Sequence, residues 1–123
     1  MSIFKNLFFQ INTHARDVKY YLNEVLTKEG FTSEFSFDGS VNHMVYSKDG
    51  IDLDFWWETG NRPTLFLRRN GEMIKTTVYE NLIQKHAPKE TIGGKIYFIY
   101  SKLDKEVYYK EHELFILDYI KNN

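Results

Sequence analysis

The sequence predicts an α+β domain: an N-terminal helix, a five-stranded antiparallel meander over about 31–78, a short helix, one further strand over about 95–101, and a C-terminal helix. Three observations predict it. Before Gly30, apolar residues recur every three or four positions. From Phe31 the period drops to two. Four turn signals, Gly39-Ser40, Asp49-Gly50, Thr59 to Pro63 and Asn70-Gly71, then cut that alternating stretch into five strands.

The first helix carries Phe4, Phe8, Ile11, Ala15, Val18, Leu22 and Val25 on one stripe. Ser2 is a candidate N-cap, and Gly30 stands where a left-handed residue closes a helix. Asn12-Thr13-His14 also suits a break and a second cap, but the hydrophobic phase favours one continuous helix.

The turns then fix register. A two-residue Asp49-Gly50 turn pairs Tyr46 with Leu53, Met44 with Phe55 and Asn42 with Trp57. Gly39-Ser40 pairs Phe37 with Asn42 and Phe35 with Met44, and Asn70-Gly71 pairs Leu67 with Ile74. An odd-length third turn sets Phe55 against Leu67 and Trp57 against Leu65. One face then reads Phe35, Phe37, Met44, Tyr46, Leu53, Phe55, Trp57, Leu65, Leu67 and Ile74. The other reads Glu34, Ser36, His43, Val45, Asp52, Asp54, Trp56, Phe66, Arg68, Met73 and Lys75. In this register Asp54 opposes Arg68, and Trp56 lies between His43 and Phe66.

After the meander, Val78, Leu82, Ile83 and His86 space out a short helix that ends before Pro88. Pro88 to Gly94 reads as a loop, and Ile96 to Tyr100 as a buried strand that a helical crossover permits to pair in parallel within the sheet. Asp104 to Asn122 reads as a helix burying Leu114, Leu117, Tyr119 and Ile120.

The chain has 123 residues, the size of one domain. Ten Phe, nine Tyr and two Trp supply large rings for a core. Sixteen basic residues against seventeen acidic ones leave no basic excess of the kind a nucleic-acid binder shows, so no nucleic-acid partner is expected. The absence of cysteine removes disulfides, thiolate chemistry and Cys-type zinc sites. No apolar run is long enough to span a membrane, and the opening Ser-Ile-Phe-Lys-Asn-Leu-Phe-Phe is too short and interrupted for a signal peptide, so a cytoplasmic address is expected.

No phosphate loop, nucleophile elbow or metal-ligand spacing appears. His14 and Asp17 share a helix face, but two ligands do not make a metal site, and the pair reads as solvated. His112 between Glu111 and Glu113 reads as a charge run, because neighbours in sequence point apart on a helix. His86 suits a helix C-terminus. Asp52, Asp54 and Glu58 lie on one side of one strand. That is a layout for paired carboxylate chemistry, but also the ordinary alternation of a half-buried strand. Trp56 stands out because it falls on the polar side of a strand whose other side is fully apolar. With Phe66, Arg68, Asp54, Asp52, His43 and Glu58 it has the composition of a binding hot spot. No catalytic residue, metal or cofactor is assigned.

The strand Gly50-Ile51-Asp52-Leu53-Asp54-Phe55-Trp56-Trp57-Glu58, followed by Arg62-Pro63-Thr64-Leu65-Phe66-Leu67-Arg68, is both aromatic and acidic. In this, in its helix and hairpin meander, and in its lack of cysteine, the chain resembles the small immunity proteins that accompany bacterial secreted toxins. The resemblance is one of style over most of the chain and transfers no functional residue. It implies a one-to-one protein partner, a toxin domain, blocked by direct binding. Inhibitors of basic nuclease toxins are often strongly acidic, whereas this chain is near neutral; a local acidic face would reconcile the two. The alternatives are a small-molecule domain with a pocket lined by Trp56, Phe66 and His43, and a small hydrolase using Asp52, Asp54 and His43. The outer strands, near Phe31 to Phe37 and Glu72 to Thr77, are open to pairing, so monomer and homodimer both stay open.

Overall fold

The computed structural model describes residues 12–38, 40–58, 61–86, 89–98 and 103–123. Ser2, Phe4, Phe8 and Ile11, expected on the first helix, lie outside them. The chain divides into two compact units between Thr76 and Thr77. The architecture is α+β, as the alternation of periods predicts.

In the first unit, helix α1 spans Thr13–Lys28. Asn12 is its N-cap in an extended conformation, and the Asn12 side chain accepts a hydrogen bond from the Ala15 N–H at 3.1 Å. The expected single helix running through Asn12 is therefore corrected. A side chain that satisfies an orphan donor outweighs continuity of the apolar stripe. The helix closes as anticipated at Gly30, with φ +96°. The Gly30 N–H donates to Thr27 O and the Phe31 N–H to Leu26 O, each at 3.0 Å. Ala15, Val18, Leu22 and Leu26 are the buried residues, and Val25 is only half-buried.

Strands β1 (Thr32–Asp38), β2 (Val41–Lys48), β3 (Ile51–Glu58), β4 (Thr64–Arg69) and β5 (Glu72–Ile74) form one antiparallel sheet in sequence order. Asp49 and Gly50 both have positive φ, as do Asn70 and Gly71, which makes both turns the mirror-image type that matches strand twist. The two tips touch: the Asn70 N–H donates to Gly50 O at 2.7 Å. A Cβ on Gly50 would sit 2.3 Å from Asn70 Oδ1 and would have to displace that side chain, and the φ of +82° strains any residue but glycine there.

The pairings expected for β1–β2, β2–β3 and β4–β5 are the observed ones, including Phe35 with Met44, Tyr46 with Leu53 and Leu67 with Ile74. The β3–β4 register is corrected by two residues. Phe55 opposes Leu65, and Leu53 opposes Leu67. Trp56 with Thr64 is the last pair, because Pro63 has no N–H to extend the ladder. A slide of two leaves each side chain on its own face. Phe35, Met44, Tyr46, Leu53, Phe55, Trp57, Leu65 and Leu67 accordingly are all buried. Phe37, on the outer strand, is exposed.

Helix α1 packs against β1 and β2. The buried Tyr46 hydroxyl donates to Asn23 Oδ1 at 3.0 Å, and burial pushes its pKa up. His14, expected on a solvated face, is instead half-buried and meets Trp57 edge-on at 6.1 Å between centroids. The Lys48 ammonium donates to Glu29 O and lies 5.9 Å from the centre of the Phe31 ring, tying the end of the helix to β2.

In the second unit, helix α2 (Val78–His86) buries Val78 and Leu82. The loop expected over Pro88 to Gly94 is corrected. Lys89–Ile92 is a strand (β6), paired antiparallel with β7 (Lys95–Phe98) in a separate two-stranded sheet. Gly93 and Gly94 both take positive φ, and such a turn folds β7 straight back onto β6 instead of delivering it in parallel to the meander. Tyr100 and the end of the expected strand lie outside the described residues. Helix α3 (Lys105–Asn122) is capped by Asp104, whose carboxylate accepts from the Glu106 N–H at 2.8 Å. Its buried residues are Tyr108, Tyr109, Glu111, His112 and Ile116. Leu114, expected inside, is exposed, and Leu117, Tyr119 and Ile120 are half-buried. The aromatic and charged stripe has displaced the aliphatic one.

Phe55 is fully buried at the centre of the meander. Phe55→Ala is expected to lower the unfolding free energy by about 3–5 kcal/mol, read from urea denaturation followed by fluorescence.

Candidate functional site

The second face of the meander forms a grid set by the register. Glu34, Val45, Asp54 and Phe66 share one row. Ser36, His43, Trp56 and Thr64 share the next. Thr32, Ser47, Asp52, Arg68 and Met73 lie on the far side of Asp54, and Asp38, Val41 and Glu58 close the other end. The expectation that Asp54 directly opposes Arg68, and that Trp56 lies in a row with Phe66, is corrected with the β3–β4 register. Both contacts nevertheless form, on the diagonal.

Asp54 is the centre of this face, and it is 6% exposed. Its Oδ1 lies 2.9 Å from His43 Nδ1 and its Oδ2 accepts from Arg68 Nη2 at 3.0 Å. One carboxylate thus joins three neighbouring strands, with both oxygens engaged. This is what a carboxylate withdrawn from water requires. Because the carboxylate only accepts, this contact places a proton on His43 Nδ1 and turns the Nε2 edge of the ring away from Asp54. The side chains of His43 and Arg68 are 31% and 29% exposed, so both reach solvent from positions that Asp54 sets.

Beside this network the rings of Trp56 and Phe66 stack at 5.3 Å and 8°. Both residues are half-buried. The indole Nε1 is buried and has no hydrogen-bond partner among the described residues. Asp52 is held by the Ser47 hydroxyl, which donates to Oδ1 at 2.7 Å. Ser47 escaped the sequence reading, although its cross-strand position opposite Asp52 follows from the Asp49-Gly50 turn. Glu58 stands exposed at the end of β3 and joins no part of the network through a hydrogen bond or ion pair given by the structure. Of the seven expected site residues, Asp54, His43, Arg68, Trp56 and Phe66 come together, Asp52 flanks them, and Glu58 lies at the rim. Chemically, the arrangement offers an oriented imidazole, the remaining guanidinium donors and an apolar ring platform.

A second polar cluster lies in the C-terminal unit. His112, expected in a charge run, is fully buried. Its Nδ1–H donates to Tyr108 O at 2.7 Å, and Tyr79 Oη lies 3.5 Å from Nε2. The rings of Tyr79, Tyr108 and Tyr109 surround it. Burial pushes its pKa down to about 4 against the opposing pull of the Tyr108 carbonyl and the Glu111 charge. Glu111, also buried, lies 3.5 Å from Lys85 Nζ and 3.4 Å from His86 Nε2. His86, expected to suit a helix C-terminus, thus faces a carboxylate on the neighbouring helix. The i, i+4 spacing of Tyr108 and His112 was the available sequence signal.

Among the described residues, no three His, Asp or Glu side chains are grouped to hold a metal ion, and no helix is long and apolar enough to cross a membrane. No protein-family model, curated protein or solved structure matches the chain.

Two outcomes follow from these geometries. Asp54→Asn is expected to cost about 2–3 kcal/mol of stability, read from urea denaturation, and to loosen the His43 Nδ1–H hydrogen bond, seen as a change in long-range ¹H–¹⁵N spectra of the imidazole. For His112, the unfolded chain takes up a proton below its ordinary value of 6.5, while the folded chain resists down to about 4. Stability is therefore retained above pH 6.5 and lost as the pH falls between these values, by about 3 kcal/mol in full. His112→Phe is expected to flatten that part of the stability–pH curve measured by denaturant titration.

Proposed function

We propose that this chain is a protein-binding module: an immunity or inhibitor protein of the bacterial cytoplasm that neutralises a partner toxin by direct contact through the second face of its meander. The observation that carries this reading is the half-buried Trp56–Phe66 ring pair, set beside an arginine and a histidine that one buried carboxylate holds in place. Aromatic residues and arginine dominate binding hot spots, and prior fixing of their rotamers lowers the entropy lost on association. No catalytic role is assigned to Asp54, whose two oxygens are already taken.

The test is genetic and biochemical. The genes beside this one are read for a toxin-like open reading frame, whose absence refutes the proposal; where one is found it is expressed with and without the chain, and growth is scored. Rescue by the wild type and loss of rescue by Trp56→Ala combined with Arg68→Ala is expected. Affinity for the toxin domain should fall by at least about 100-fold, the scale of hot-spot truncations. Unchanged affinity in a folded double variant, confirmed by circular dichroism, refutes the assignment.

A further inference from the structure

The register separates charge as well as hydrophobicity. On the second face of the paired strands stand Glu34, Asp38, Asp52, Asp54 and Glu58, against one guanidinium, Arg68. That is a formal charge of −4 on one side of one sheet in a chain whose total is −1. The near-neutral total conceals an acidic sheet face. Lys75, of the same parity, stands one residue beyond the end of β5.

The placement within the grid is also ordered. Glu34, Asp38 and Glu58 are exposed and lie at the ends of their rows or strands. Asp52 and Asp54 lie inside and are tied to Ser47, His43 and Arg68. Along β3, Trp56 of the Trp56–Phe66 stack sits between Asp54 and Glu58, and Glu34 lies at the β1 end of the row that holds Asp54 and Phe66. A ring platform with a charged, hydrated rim is the layout of an interface core and its surround. Here the exposed residues at the row and strand ends, Glu34, Asp38 and Glu58, carry one sign, with Arg68 beside Phe66 as the single cation of the paired strands.

Resting on the protein-binding reading above, we infer that the partner of this face is a basic protein surface, whose lysine and arginine side chains meet Glu34, Asp38 and Glu58 while its apolar residues cover the Trp56–Phe66 stack. Charge complementarity selects this occupant over two others. A second copy of the chain would bring −4 against −4, and an acidic partner would meet the same repulsion. Opposed potentials of this kind act mainly on the rate of encounter and on the choice of partner, and they are screened by salt.

The charge assignment is tested without the natural partner. The full-length ¹⁵N-labelled chain is titrated with two synthetic peptides of equal length, one of alternating lysine and leucine and one of alternating glutamate and leucine. The expected result is that the lysine peptide shifts amide resonances of β1 to β4, and that binding weakens steeply from about 0.01 to about 0.1 M salt, as the screening length falls from about 30 Å to about 10 Å. The triple variant Glu34→Lys, Asp38→Lys, Glu58→Lys should bind the lysine peptide at least about tenfold more weakly. The control variant Glu24→Lys, Asp118→Lys, which reverses exposed acids on the helices, should bind it as the wild type does. Equal binding by the triple variant, or a preference for the glutamate peptide, overturns the basic-partner inference and leaves the protein-binding reading standing. Resonances of this face that respond to neither peptide overturn the inference as well. Loss of toxin rescue in the ring variant, scored separately, decides the protein-binding reading itself.

Discussion

Alternation of side chains across a pleated strand is the constraint on which this molecule rests. Each strand between Phe31 and Ile74 sends odd and even neighbours to opposite faces, and each turn between them decides which neighbours agree. In the first hairpins the agreement is enforced by two-residue turns. The result is one face that is almost entirely ring and aliphatic, under α1, and one that mixes acids, an arginine, a histidine and two rings. The core and the candidate interface are two sides of the same pattern, so neither can be shifted by one residue without exchanging them.

The same constraint explains how far the sequence was legible. Asp49-Gly50 and Asn70-Gly71 left one choice of register, and the observed pairings follow it. The loop before Pro63 left a choice between registers that differ by two, and a slide of two is invisible to a hydrophobic pattern. Arg68 therefore sits opposite Asp52 and reaches Asp54 across a diagonal. Membership of the face was readable for that reason, while the order of contacts within it was not. The start of α1 failed differently. A single Asn12 side chain fixed it, and capping is a local hydrogen bond that an apolar stripe does not report.

The C-terminal unit was the hardest part to read because its interior is not aliphatic. Tyr108, Tyr109 and His112 occupy the inward stripe of α3, with Glu111 beside them, while Leu114 faces water. Hydropathy ranks these residues the other way. What makes the arrangement tolerable is that both nitrogens of His112 face oxygen atoms, from Tyr108 and Tyr79, and that Glu111 faces two cationic or imidazole side chains. Tyrosine and histidine are polar at one atom and apolar elsewhere, and burial follows wherever that one atom is served.

The contact between the two turn tips has a further consequence. Three of the four connections between successive strands are tight, so most pairings are local and form early. The β3–β4 pairing is the exception, closed by a longer loop. Its alternative slide keeps every residue on its proper face and is penalised little by the core. It does, however, carry Asn70 away from Gly50, and with it the 2.7 Å hydrogen bond and the close fit of the amide against a residue without a side chain. The tip thus proofreads the one joint in the sheet that hydrophobicity leaves ambiguous. A side chain at position 50 would push the Asn70 amide aside and weaken the check.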